Sequence, residues 1–177
     1  CLQYVAGGPD APALQRLRNG EDPYVGTASK FYKREIYKPA KDDPLKAEME
    51  AMRGMGKQGE LMCGFGASGK QFKIAAKNGL YGPSVEISIE DADAFVRLWR
   101  EDNSHITHRT TGYWQQCEEM LKVLAGGATL QVGPLLCHMH KIKLPNGAMM
   151  NYDTLEWHKP TDDEECRDFE RWGYWRM

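Results

Sequence analysis

Arg53-Gly-Met-Gly-Lys57-Gln-Gly-Glu-Leu61-Met-Cys-Gly-Phe65-Gly66 is the stretch around which the chain is organised. Written on a helix, Arg53, Lys57, Leu61 and Phe65 recur every four residues, a ladder that keeps to one face and drifts slowly around it. Two cations stand at one end, an apolar side chain follows, and an aromatic ring with Gly66 closes the run. That order suits a ligand with a polyanionic tail, a sugar and a flat base. Arg53 and Lys57 would hold phosphate, Leu61 would touch the sugar, and Phe65 would offer a stacking surface.

The same residues spell two other formal motifs. Gly54 to Gly59 is a G-x-G-x-x-G, but a dinucleotide fold needs a buried strand ahead of it. The residues from Leu45 to Met52, rich in Lys, Glu, Met and Ala, read as helix. Gly64 to Lys70 is a G-x-x-x-x-G-K, but Gln71 stands where magnesium needs Ser or Thr, and no apolar strand precedes it. Each Gly inside a helix costs about 1 kcal/mol relative to Ala. So many glycines in one helix mean either close approach by a backbone or ligand, or simply a weak helix.

The chain has 177 residues, enough for one domain with a real core, and its 41% hydrophobic content is ordinary. No run is apolar and long enough to span a membrane, and no basic-then-apolar leader opens the sequence. It starts on Cys1, which reads as a segment of something longer. The five cysteines (1, 63, 117, 137 and 166) lack paired spacing, which suits free thiols in a reducing, cytoplasmic setting. Net charge is −2 but unevenly spread. Residues 30–77 hold eleven Lys or Arg against six Asp or Glu, whereas residues 78–177 hold ten against sixteen. A basic segment of this kind can face phosphate, or can be chance segregation on solvated faces.

Local signals predict mainly helix with a small antiparallel β part, an α+β chain. Asp10 is placed to cap a helix over 11–18, closed by Asn19-Gly20. Asp22-Pro23 reads as a second helix start, with Asp22 as cap. Asp43-Pro44 opens the long helix that carries Arg53 and Lys57 and ends at Gly64 and Gly66. Ser68 caps a helix over 69–77, closed by Asn78-Gly79. Ser88 with Asp91 resembles a capping box and starts a helix with Ile89, Ala92, Phe95, Val96 and Trp99 on one core-facing stripe. One further helix is expected from about Ser104 to Leu124, with Trp114, Cys117, Leu121 and Leu124 inward. Then the period changes: Lys141 to Met150 reads as a hairpin with an Asn146-Gly147 turn.

Arg53, Lys57, Phe65 and Gly66 have the spacing of motif B of the family A DNA polymerases, the bacterial DNA polymerase I type and its phage relatives. The pattern resembles the long helix of their fingers. Leu61 departs from the more usual Phe or Tyr, and Phe65 stands where Tyr is common. The flanks add to the resemblance: Cys1 to Gly7, Leu17 to Tyr24 and Ala28 to Tyr32 are similar to the family's segment after motif A. Leu144-Pro-Asn-Gly147 with Tyr152 partly matches its palm hairpin, and Arg171 to Trp175 resembles the strand before the next palm helix.

By this resemblance, the chain is a fingers subdomain (about 10–127) with adjoining palm elements (about 1–9 and 128–177) of a DNA-directed DNA polymerase, phage-like. The fold implied is fingers helices plus a palm-edge hairpin. The parent enzyme would join a dNTP to a primer end on template DNA, with two Mg2+ ions stabilising the reacting oxygens. Motif A would precede Cys1 and motif C would follow Met177, so the resemblance puts the metal ligands outside this sequence and implies that the chain alone is inactive. Lys57 is implied as the catalytic cation near the leaving pyrophosphate. Arg53, Lys57, Leu61, Phe65 and Tyr24 would bind the nucleotide, Tyr24 standing where relatives often carry His. Phe65 and Gly66 would face the template. Implied partners are primer-template DNA, dNTP, and the remaining palm, thumb and any exonuclease parts. The implied location is the cytoplasm, the host's if phage-encoded. Two other classes remain as alternatives: a helical nucleic-acid-binding module without chemistry, and a P-loop-like nucleotidase.

Other clusters are weaker. Cys137, His138 and His140 with remote Cys166 lack the close pairs of a zinc site, and on a strand His138 and His140 share a face as a structural pair. His105 and His108 read as a solvated helix start. Asp162 to Glu165 reads as a solvated acidic loop. No pattern for a covalent nucleophile is present.

Overall fold

A computed structural model describes residues 6–8, 10–159 and 174–176. The architecture is α+β, with helices first and strands after them. The chain divides into two compact units between His108 and Arg109.

The first unit is helical: α1 (Pro12–Arg18), α2 (Gly26–Tyr32), α3 (Lys46–Gly64), α4 (Gly69–Lys77), α5 (Ile89–Asp102) and the single turn α6 (Ser104–Thr107). Its core is aromatic. Phe72, Phe95 and Trp99 are buried with Met49 and Met55, and the Phe95 ring lies 5.2 Å from Phe72 and 5.5 Å from Phe31 between centroids. The α5 stripe foreseen from period, Ala92, Phe95, Val96 and Trp99, is the buried face of that helix. Ser68 caps α4 in a reciprocal capping box with Gln71, and Ser88 Oγ accepts from the Asp91 amide at the start of α5. Buried Gln58 of α3 donates to Pro83 O at 2.9 Å and so fastens the connection between α4 and α5.

The glycines of α3 are explained by packing. A Cβ on Gly56 would stand 2.0 Å from Tyr24 O, and one on Gly59 would stand 2.1 Å from the Phe95 ring. Backbone of the segment before α2 and a core ring thus approach the helix axis more closely than any side chain permits. The helix ends where Gly66 adopts φ 81°, a conformation that favours glycine.

The second unit packs α7 (Tyr113–Ala125) on a four-stranded antiparallel sheet in the order β1 (Thr129–Val132), β2 (Leu135–His138), β3 (Lys141–Lys143), β4 (Met149–Asn151). Met120 and Leu124 of α7 and Val132, Cys137 and Ile142 of the sheet are its buried apolar residues, with Tyr113 at the helix start. The Asn146-Gly147 turn joins β3 to β4, with Gly147 at φ 83°. A separate antiparallel pair consists of β5 (Glu156–His158) and β6 (Tyr174–Arg176).

Several expectations need correction. Ala11, not Asp10, stands at the start of α1 and makes no side-chain cap; Asp10 instead accepts a long bond from Gln15. Asp22 does not cap α2, which begins four residues later after Val25. The helix expected over 104–124 is two helices, interrupted from His108 to Gly112, where Gly112 takes extended backbone before α7. Of its expected inward residues only Leu124 is fully buried, with Tyr113 and Met120 beside it in place of Trp114, Cys117 and Leu121. The compact units part at 108, with α7 packed on the strands of the second. His138 and His140 do not share a strand face. His138 ends β2 with Nδ1 2.6 Å from Thr129 Oγ1, while Met139 and His140 form the β2–β3 turn at positive φ. Cys1, Cys166, Leu2 to Val5, Asp162 to Glu165 and Arg171 to Gly173 lie outside the described residues.

Candidate functional site

Three of the four ladder residues stand on α3 proper, and Phe65 is the residue that follows it. Four helical residues rise about 6 Å, so Arg53 to Leu61 spans about 12 Å of one edge. The buried arc of α3 is formed by Met49, Met55, Gly56, Gly59 and Cys63, with Gly54 and Gln58 beneath the 79–88 connection. Arg53, Lys57 and Leu61 fall outside that arc and are half-buried. Phe65 is 82% exposed. Its amide bonds back to Met62 O, so the chain has left α-helical geometry by this point and the four-residue spacing no longer sets its direction.

Arg53 is held from two sides. Its Nε donates to Asp22 Oδ2 at 2.5 Å, and its guanidinium carbon lies 5.2 Å from the centre of the Tyr24 ring, a cation–π contact. The other carboxylate oxygen of Asp22 accepts from the Tyr24 amide at 2.9 Å. Tyr24 itself presses its carbonyl against Gly56. The segment Asp22–Tyr24 therefore docks on α3 through an ion pair, a ring contact and a glycine notch. Among the described residues no carboxylate pairs with Lys57, and the terminal nitrogens of Arg53 make no hydrogen bond. Two cations one turn apart, outside the core and with donors to spare, form a surface that can take a polyanion.

The structure thus sets Tyr24 against Arg53, with Lys57 one helical turn further along the ladder. Leu61 follows one turn on, and Phe65 with Gly66 stands beyond the helix end. Sequence reading missed Asp22 as the partner of Arg53: it lies 31 residues away, and its position before Pro23 pointed to a cap instead.

It missed Glu60 as well. Glu60 Oε1 accepts from Thr27 Oγ1 at 2.9 Å and Oε2 from Trp99 Nε1 at 2.6 Å, so one carboxylate ties α2, α3 and α5. Burial pushes its pKa above the ordinary value, against the pull of those two donors and of Arg16. A cavity of about 100 Å³ beside it is walled by Arg16, Thr27, Asp102 and Asn103. The neighbouring Cys63 thiol is pushed up to about 12, first by burial and then by Glu60, and is no nucleophile at neutral pH.

The P-loop-like run from Gly64 to Lys70 follows a helix, and the G-x-G-x-x-G lies inside one, so neither has the strand that its chemistry requires. Among the described residues no three His, Cys, Asp or Glu side chains gather to hold a metal. Nor, among them, is any helix long and apolar enough to cross a membrane. No family model, curated protein or solved structure matches the chain.

Proposed function

We propose that the chain is the fingers part, with adjoining palm elements, of a family A-like DNA-directed DNA polymerase, and that α3 binds the incoming dNTP. The observation that carries this reading is the succession of Arg53 and Lys57 on the half-buried outer edge of α3, with donors unused among the described residues, ahead of Leu61 and the exposed ring of Phe65. In this reading Lys57 and the fork of Arg53 hold the triphosphate, with the Tyr24 ring beside them. Leu61 lies along the sugar, and Phe65 with Gly66 meets the nascent pair and template. Magnesium, held by carboxylates that the resemblance puts outside this chain, would supply charge stabilisation to the reacting oxygens. The residues here bind and orient the nucleotide.

A second reading, a nucleic-acid-binding module without chemistry, draws support from the same exposed Phe65 and from Lys70, Lys73 and Lys77 along the solvent side of α4. A titration of labelled primer-template DNA with and without the complementary dNTP separates the two. Tighter DNA binding in the presence of the complementary dNTP, and not of the other three, supports the fingers reading. DNA affinity indifferent to dNTP would leave the module.

A further inference from the structure

We propose that Asp22 is the positioning residue for Arg53: it grips the guanidinium by its Nε edge and leaves the terminal fork free for a polyphosphate. The inference rests on reading Arg53 and Lys57 as a phosphate pair.

The geometry separates gripping from neutralising. A carboxylate that quenches an arginine usually straddles two of its nitrogens. Here the oxygens of Asp22 are divided: Oδ2 takes Arg53 Nε, while Oδ1 takes the Tyr24 amide. The terminal nitrogens donate to nothing among the described residues. The Tyr24 ring against the guanidinium closes off a second direction of movement. The segment that supplies both contacts is itself seated by the Tyr24 carbonyl in the Gly56 notch. Arginine loses much rotamer freedom when a ligand fixes it. An arginine already held at Nε and flanked by a ring has given up part of that freedom before the ligand arrives.

The opposing effect is charge, since Asp22 repels an anion bound nearby. Both side chains retain solvent contact, 25% exposed for Arg53 and 15% for Asp22. The positive guanidinium itself stands between the Asp22 carboxylate and an anion on its terminal fork, and its charge offsets that repulsion. Orientation therefore wins, and removing the Asp22 charge weakens polyphosphate binding.

The test is calorimetric titration of inorganic tripolyphosphate into the chain, the Asp22→Asn and Arg53→Ala variants, and the double variant. Asp22→Asn is expected to weaken binding about fivefold when Arg53 is present and to change it little in the Arg53→Ala background. An equal loss in both backgrounds would mean that Asp22 acts on the fold, and an equal or tighter affinity for Asp22→Asn would mean that it competes with the ligand. Either result overturns the proposal. Absence of tripolyphosphate binding by the unaltered chain would overturn the phosphate reading itself, and this inference with it. As an independent readout, the Arg53 Nε–H resonance should be protected from exchange in the unaltered chain and lose protection in Asp22→Asn without any ligand; unchanged protection contradicts the grip.

Discussion

The two sides of helix α3 are built on opposite terms. On one side Gly56 and Gly59 have no side chain because Tyr24 O and the Phe95 ring occupy the space. On the other, Arg53, Lys57 and Leu61 are long side chains left half in solvent, and Phe65 beyond them is almost bare. A helix needed only for packing would put its large apolar residues inward and small or polar ones outward. Here Met49 and Met55 do face inward, but Gly56 and Gly59 on the same face bring neighbouring backbone and ring close, and the outward edge carries cations, with an exposed aromatic beyond it. The arrangement describes a helix held tightly from behind so that its other edge can present a surface.

The largest test of that contrast is steric. Gly59→Ala should destabilise the helical unit by about 3 kcal/mol or more, because the whole Phe95 ring must shift in a packed core. Denaturant unfolding measures it. A loss below about 1 kcal/mol would show that the packed side is as forgiving as the exposed one.

Glu60 gives the next largest effect, at the boundary between the two sides. Glu60→Ala leaves Trp99 Nε1 and Thr27 Oγ1 without their acceptor and should cost about 2 kcal/mol. Glu60→Gln keeps an acceptor and discards the buried charge. The folded-state pKa of Glu60 is raised from 4.5, so its contribution is fully present below that value and is lost as pH rises through the raised folded value. Relative to the unaltered chain, Glu60→Gln should therefore be more stable at about pH 7 than at about pH 4, seen as a difference in urea midpoints at the two pH values. A pH-independent difference would mean that burial does not set the charge of Glu60.

Substitutions on the outward edge should barely touch stability. Lys57→Ala, with no carboxylate partner among the described residues to strand, should shift the unfolding free energy by less than about 0.5 kcal/mol while weakening dNTP binding about tenfold. Smallest on stability is Leu61→Tyr. In a polymerase that carries this segment with its palm carboxylates, it should change the ratio of dideoxy to deoxy incorporation by about tenfold, the range of one altered apolar contact. An active variant with an unchanged ratio would move Leu61 away from the sugar.

What the sequence reveals follows the same division. The α5 stripe, the Ser68 cap and the Asn146-Gly147 turn are local, because each is fixed by residues within a turn or two of one another. The glycine-rich helix is legible as a helix, and close approach is one of two meanings its glycines allow; only the structure shows what approaches. Asp22 misleads because Asp-Pro carries a cap signal, while its actual partner, Arg53, becomes near only through folding. Glu60 carries no sequence signal at all, since its donors are 33 and 39 residues away. The expected helix over 104–124 breaks at His108 and resumes after Gly112, an interruption that apolar spacing alone does not register. Cations and rings at regular spacing are visible in one dimension, whereas what holds them in place is not.

On the proposed function, the Arg53–Lys57 edge of α3, and not the wider basic surface, receives the nucleotide. Lysine acylation read by mass spectrometry, in the presence and absence of dNTP, tests it directly, since Lys70, Lys73 and Lys77 are exposed on α4 as internal controls. Bound dNTP is expected to protect Lys57 while the three α4 lysines keep their reactivity. Protection of the α4 lysines with Lys57 unchanged would contradict it.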